Sequence, residues 1–345
     1  MSVTGATVTS AAAILGPLAQ RDVSLASLTT FRIGGPASLF VRATSDADIA
    51  AIQRAVSETG IEVLVIGQGS NLLIADDGFP GLVVQLGDPF TEIAFHGVEV
   101  ICGGAVKLPV LARRTVAKSL TGLEWAVGVP GSVGGGVRMN AGGHGSDMAA
   151  TLTDVDLCDL DGGGLGIRRV PVDELGFGYR RSLVATSDLV VRARFTLGPG
   201  DRDASEADLA EIVRWRRAHQ PGGANCGSVF TNPPGQSAGL LIDQAGLRGH
   251  RHGGAHVSPK HANFIQADAG ASALDVWALI VDVRALVHDR FGIWLHPEVR
   301  TAGFDPVLEP RPHDMAVSSA VPADETSRHV EPKDDQPSET RRSRS

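Results

Sequence analysis

Aromatic side chains are scarce in this sequence: they make up 5% of its 345 residues, and Tyr179 is its only tyrosine. Cysteine is scarcer. Cys102, Cys158 and Cys226 are odd in number, far apart and in no C-x-x-C spacing, which excludes a disulfide scaffold and points to a reducing compartment. A basic, aromatic-interleaved stretch is absent, and the net charge of −8 argues against nucleic acid as the main partner. No apolar run reaches the roughly eighteen residues that a membrane helix needs. The run Ala11 to Leu15 is short and has no basic stretch before it, so it does not read as a signal peptide. These absences predict a soluble, cytoplasmic protein with neither a nucleic-acid nor a membrane partner.

What the sequence has is glycine, 42 residues of it. The run from Gly122 to Met148, GLEWAVGVPGSVGGGVRMNAGGHGSDM, holds nine of them and Pro130, which argues against an ordinary helix or strand. It reads as backbone laid against a large polyanionic ligand. A second glycine turn, Gly67-Gln68-Gly69-Ser70-Asn71, follows the strand-like run Ile61 to Ile66. Neither is the dinucleotide fingerprint G-x-G-x-x-G. Gly134 and Gly136 have the first spacing, but Met139 stands in the third place; Gly67 and Gly69 are followed there by Leu72. The two are read as a pair of phosphate-binding loops of a non-Rossmann kind.

In chain order, residues 1–20 read as a loose arm. A short strand from Leu28 to Ala37 ends in a tight turn, and Ser45 to Thr59 carries Ile49, Ile52, Ala55 and Val56 on one helical stripe closed by Gly60. With strands at Ile61 to Ile66 and Leu82 to Leu86 this makes a first unit, 21–87. A second α+β unit, 88–200, has a helix between Leu108 and Lys118, the central glycine run, and strands at 152–160, 167–171 and 189–197. A third unit, 201–306, opens with a helix from Ala204 to about Ala218 and continues through a short helix at Leu240 to Ile242. It then carries a long amphipathic helix from Ser272 to Phe291, with Ser272 and Asp275 as a capping pair. Two strands are expected to end near Arg300. The tail 307–345 is charged, rich in proline and serine and without aromatics, so it is expected to be disordered.

The series TFRIGGPA, GQGSNLL, GVPGSVGGGVRMNAGG, GYRRS, GSVFTNP, AGLLIDQAGLRG, VSPKHANFI and HPEVR spans residues 30–300 in one order. It closely resembles the bacterial UDP-N-acetylenolpyruvoylglucosamine reductases of peptidoglycan precursor synthesis, in their shorter subclass. The resemblance implies an α+β fold: a two-subdomain FAD-binding unit of the vanillyl-alcohol-oxidase (PCMH) type, followed by a C-terminal α+β substrate-binding domain. It implies non-covalent FAD held by Gly67, Gln68, Gly69, Ser70, Asn71 and Leu72, and by Gly128, Pro130, Gly131, Ser132, Gly134, Gly135, Asn140 and Gly142. It also implies ping-pong chemistry, with NADPH as co-substrate and a nucleotide sugar, UDP-N-acetylglucosamine enolpyruvate, as the small-molecule partner.

By motif match, Arg180 lies over the substrate carboxylate as a permanent cation, Glu298 shares a proton or hydrogen bond with the same group, and Ser228 is the proton donor. From the residues alone, Ser228 reads as a cap or turn residue, Arg180 as a surface cation and Glu298 as a strand-end ion-pair partner. Tyr179, Asn232, Arg248, Lys260 and His261 match positions that contact substrate, the cations and amide suiting a diphosphate. Cys226 stands before the active Gly-Ser and Cys102 in a Gly-Gly-Ala turn, both where small apolar residues are more usual. His219 makes a substrate contact at its own position doubtful. His250, His252, His256 and His261 crowd together, but their spacing matches no metal motif, so no metal is expected. Two other functions share these features, an FAD-linked oxidase on the same fold and a non-catalytic nucleotide-sugar binder. The oligomeric state is not determined by the sequence; a monomer is the default expectation.

Overall fold

A computed structural model describes residues 5–304 apart from 162, 163 and 165, so the expectation for the 307–345 tail lies outside the described residues. The chain begins with a helix, α1 (Gly5–Leu15), and not with a loose arm. Its alanines favour helix, and Gly16, at φ +54°, stops it. Ala11 and Leu15, one turn apart, are buried in the cluster that holds Ile49, Ile52 and Val56. The expected strand from Leu28 to Ala37 is likewise displaced: the strand begins at the turn and runs Pro36–Ala43. Proline is tolerated at that first strand position because no ladder donor is needed there.

Helix α2 (Asp46–Thr59) forms where its stripe lies. Ser45 caps it by accepting from the Asp48 N–H, and Gly60 closes it in the left-handed region. It covers one face of a four-stranded sheet ordered Gln20–Ser24, Pro36–Ala43, Phe79–Leu86, Val63–Val65. The first pair is antiparallel and the other two are parallel. Alternation sends Leu39 and Val41 toward the helices and Phe40 into a second cluster on the opposite face.

A five-stranded antiparallel sheet follows, ordered Arg168–Pro171, Leu152–Asp159, Asp188–Thr196, Glu99–Gly103, Ile93–His96. Helix α3 (Leu108–Val116) packs Leu108, Leu111 and Val116 into its core. The glycine run also contains a short helix, α4 (Val133–Arg138), against the expectation of no helix there. Its glycines permit close packing: a Cβ on Gly134 would lie 3.3 Å from the Gly104 carbonyl oxygen. The cores of the first two units are continuous, since Cys158, Leu160, Leu189 and Val191 share the cluster under α2.

The C-terminal part starts with α5 (Arg202–His219) and α6 (Ala238–Gln244), then a small antiparallel sheet, Arg251–His252, Ala255–Val257 and Ile265–Ala267. Helix α7 (Ala273–Phe291) backs it, opened by the Ser272–Asp275 capping box and ended by left-handed Gly292. Asp76 also accepts from the Ala273 and Leu274 N–H groups, joining α7 to the first unit. In place of two strands ending near Arg300, one strand starts there: Arg300–Ala302 pairs in parallel with Leu72–Ile74. That pairing brings the end of the chain back to the first glycine loop.

Candidate active site

The two glycine loops meet. Ser70 Oγ donates to the Pro130 carbonyl at 3.2 Å, and a Cβ on Gly67 would lie 2.4 Å from Ser132 Oγ. A Cβ on Gly131 would lie 2.9 Å from Ser70 Oγ. Gly69, at φ +56°, has its carbonyl bonded to the Thr30 N–H. Gln85 Nε2 donates to the Gly67 carbonyl at 2.9 Å. Around them lies a cavity of about 390 Å³ lined by Ser27–Thr30, Arg32, Gly67, Gln68, Gln85 and Gly223. The buried hydroxyl of Thr30 has no hydrogen-bond partner among the described residues. A polar cavity with an unsatisfied buried donor beside a glycine turn suits a large cofactor carrying phosphates and ring heteroatoms.

The longer glycine run is turned more toward the protein than the sequence reading expects. The Val133 and Gly134 N–H groups donate to Val106 and Gly104 carbonyls, so neither is free for a phosphate. The side-chain face of Gly128 is filled by α5, where a Cβ would lie 2.9 Å from Ile212 Cγ2. Gly135 alone among these helical glycines faces open space. Asn140, buried at φ +41°, bonds Asp147, the Gly178 carbonyl and the Ala149 N–H, so its amide organises the run internally.

That same amide anchors the turn carrying Tyr179 and Arg180. Arg180 adopts φ +55°, donates from Nη2 to the Gly142 carbonyl at 2.9 Å and lies over the Tyr179 ring. Its Nε stands 3.3 Å from Glu298 Oε1, both side chains 18% exposed. Burial pushes the Glu298 carboxyl above the ordinary carboxylate range, opposed by Arg180 and Arg300. The pair is largely withdrawn from water, a carboxyl of raised pKa beside a fixed cation.

Ser228 lies on the neighbouring stretch. It bridges to Phe264, while Phe230 bridges to Pro297 and the Glu298 N–H donates to the Val229 carbonyl at 2.7 Å. The Ser228 segment is thus one residue from direct backbone bonding to Glu298. Asn71 closes the circuit: its Nδ2 donates to the Glu298 carbonyl at 3.0 Å, and its carbonyl accepts from the Arg300 N–H. Three motifs far apart in sequence, GQGSN, GSVF and HPEVR, therefore converge. Cys226, buried beside them, has its thiol pushed well up by burial and secondarily by Glu298, so it is not a poised thiolate.

The expected diphosphate contacts are each engaged with partners in the protein, Arg248 beside Pro259 next to Lys260 and both Asn232 and His261 near the start of α6. Arg248 makes a two-pronged pair with Asp243 and donates to the Pro259 carbonyl, and Lys260 Nζ reaches the Arg217 carbonyl at the end of α5. Asn232 Oδ1 accepts from the Ala238 N–H and caps α6. His261 packs edge-on against Phe264 and accepts from the Asn263 N–H. Of the histidine cluster, His252 pairs with Asp282 and His256 with Asp268, and no group of three ligating side chains is found among the described residues. Asn263 was not singled out by the sequence. Its signal is an amide set among Ala262, Phe264 and Ile265, where only a polar group with partners can be buried.

Residues 37–165 match the FAD binding domain family, and residues 219–302 match the family described as UDP-N-acetylenolpyruvoylglucosamine reductase, C-terminal domain. The chain is 46% identical over 278 residues to the UDP-N-acetylenolpyruvoylglucosamine reductase of Heliobacterium modesticaldum, covering 80% of this chain and 88% of that one. It is 43% identical to reductase 2 of Symbiobacterium thermophilum, covering 82% and 91%. The crystal structure of the Thermus caldophilus reductase superposes with a TM-score of 0.71 at 33% identity, over 82% of this chain and 98% of that one.

Proposed function

The chain belongs to the UDP-N-acetylenolpyruvoylglucosamine reductase family, and we propose that it reduces UDP-N-acetylglucosamine enolpyruvate to UDP-N-acetylmuramate, with NADPH as the electron source. It is an FAD-dependent oxidoreductase of the α+β, vanillyl-alcohol-oxidase type. We assign 21–87 and 88–200 to the two cofactor-binding subdomains and 201–306 to the substrate domain. FAD, when bound, supplies a hydride carrier between NADPH and the vinyl methylene of the substrate.

The loops at Gly67–Leu72 and Pro130–Ser132, with Thr30 and Gln85, would hold it. Arg180 binds the substrate carboxylate and offsets the charge that develops when the double bond is saturated. Glu298, kept in its protonated form further up the pH scale by burial, donates a hydrogen bond to the same carboxylate. Ser228 gives its proton to the carbon bearing the carboxylate, on the face opposite hydride addition, and regains one from solvent. Arg248, Lys260, His261 and Asn232 would steer the diphosphate and sugar, the Arg248–Asp243 pair opening to do so. Tyr179, 55% exposed, would cover the substrate beside Arg180.

The observation that carries this reading is the pairing of Arg180 with a carboxyl of raised pKa at 3.3 Å, hydrogen-bonded through its backbone to the Ser228 segment. The test follows the absorbance of the flavin-loaded protein without oxygen. NADPH should bleach it and the enolpyruvyl substrate should restore it, while Ser228→Ala should slow only the restoration, by ~10²-fold or more. Restoration by oxygen but not by substrate would establish an oxidase, and substrate binding without any colour change would establish a binder.

A further inference from the structure

Ser228 can protonate one carbon on one face only if its backbone is held to a fraction of an ångström; misplacement by about 1 Å can cost ~10²-fold in rate. Yet the segment Ser228–Phe230 lies in no regular strand and touches its neighbours through single bridges, Ser228 to Phe264 and Phe230 to Pro297. Regular ladder bonding does not hold it. Three of the bonds that do hold it converge on one residue. The Val229 N–H donates to the Asn263 carbonyl at 2.8 Å. The Phe230 N–H donates to Asn263 Oδ1 at 2.9 Å, and Asn263 Nδ2 donates to the Phe230 carbonyl at 2.8 Å.

The side-chain amide thus imitates a peptide group, giving and receiving as a neighbouring strand would. It does so while 5% exposed, against a Phe230 that is 2% exposed, so neither backbone group has water as an alternative partner. Asn263 is itself fixed, its N–H donating to His261 Nδ1, and the next residue, Phe264, accepts from the Ser258 N–H. On the far side of the same segment the Glu298 N–H donates to the Val229 carbonyl. Asn263, through its backbone carbonyl and its side-chain amide together, therefore holds the two residues that link Ser228 to Glu298.

We propose that Asn263 is a positioning residue for proton delivery, aligning the Ser228 hydroxyl and the Glu298 carboxyl through the Val229–Phe230 backbone. The proposal rests on the reading of Ser228 as proton donor. A purely space-filling role at this core position would be met by an apolar side chain, which could not pair the Phe230 N–H and carbonyl together.

The test uses the full-length, flavin-loaded protein and measures the two half-reactions separately. Asn263→Ala should slow reoxidation by UDP-N-acetylglucosamine enolpyruvate by ~10-fold or more and leave reduction by NADPH within about twofold of wild type. Added to Ser228→Ala, it should cost less than about twofold further, because residues acting as a unit are not additive. Asn263→Asp supplies a readout that simple destabilisation would not move. A neutral carboxyl can again both accept and donate, so reoxidation should recover as pH falls, whereas the alanine variant should show no such recovery. Wild-type reoxidation in Asn263→Ala, full multiplication of the two losses, or a pH-indifferent aspartate variant would each overturn the proposal. If the alanine variant does not fold, the pH profile of the aspartate variant decides alone. Wild-type reoxidation in Ser228→Ala would instead sink the proton-donor reading, and the positioning role with it.

Discussion

In the loop Gly67–Leu72, a methyl group on Gly69 would sit 2.1 Å from the Leu28 carbonyl oxygen, at a backbone φ of +56° that side chains resist. In the run from Gly122 to Met148, methyls on Gly128 and Gly136 would instead meet Ile212 Cγ2 at 2.9 Å and Met148 Cε at 2.7 Å. At Gly69 the first loop is tight because backbone passes backbone, and a polar cavity lies beside the loop. At Gly128 and Gly136 the second is tight because side chains pack on it. Glycine density therefore measures close approach, not what approaches. By its surroundings the short loop is the one we propose to face the cofactor, with Pro130–Ser132 beside it, while the rest of the long run is largely scaffold.

Gly69→Ala tests the cavity side of that contrast and has the largest expected effect. The clash is with main chain, which cannot rotate away, and the left-handed φ adds its own penalty. A loss of about 3 kcal/mol in unfolding free energy is expected, with flavin content falling in the purified protein. A variant that keeps wild-type stability and full flavin would show that this loop can shift freely, and the distinction between the loops would lapse.

Gly128→Ala tests the scaffold side and should do less. Its methyl would press on Ile212 Cγ2 and, at 3.2 Å, on Arg216 Cδ, both side-chain atoms on α5 that can give. Overpacking of this kind costs about 1–2 kcal/mol. Denaturant unfolding should register that loss while flavin affinity, read by fluorescence titration, stays within about twofold. A large loss of affinity at unchanged stability would place Gly128 against the cofactor after all.

The same contrast explains what could be read from the sequence. Helices α2 and α7 were legible because stripe, N-cap and closing glycine all sit within a few residues of one another. Helix α1 was not, because its short alanine-rich stretch shows its burial only once α2 supplies the opposing face. Arg180, Ser228 and Glu298, the residues we propose to act on the substrate, were identifiable through the motif resemblance. Their mutual arrangement was not, since the Arg180–Glu298 pair and the Asn71–Glu298 bond join residues more than a hundred positions apart. Charge was legible at Arg248 and Lys260, but their present partners, Asp243 and the end of α5, depend on how α5 and α6 lie against the 258–265 turn.

Gly135→Ala has the smallest expected effect on folding and separates the two uses of glycine most cleanly. Gly135 is the one helical glycine of α4 that is exposed, and beyond its chain neighbours and its own helix backbone no atom lies within 4 Å of where its Cβ would be. Judged on the protein alone, alanine is the better residue, worth about 0.5–1 kcal/mol in a helix. The flavin-free variant should therefore resist denaturant slightly better than flavin-free wild type. If the open space is where the cofactor lies, the same methyl must weaken FAD binding, and about a tenfold rise in Kd is expected from titration of the flavin-free protein. Opposite signs in the two measurements would make Gly135 a ligand-facing exception in a run otherwise turned inward. Unchanged FAD affinity would show that even this glycine does not face the cofactor, leaving the Gly67–Leu72 loop and its cavity to hold it.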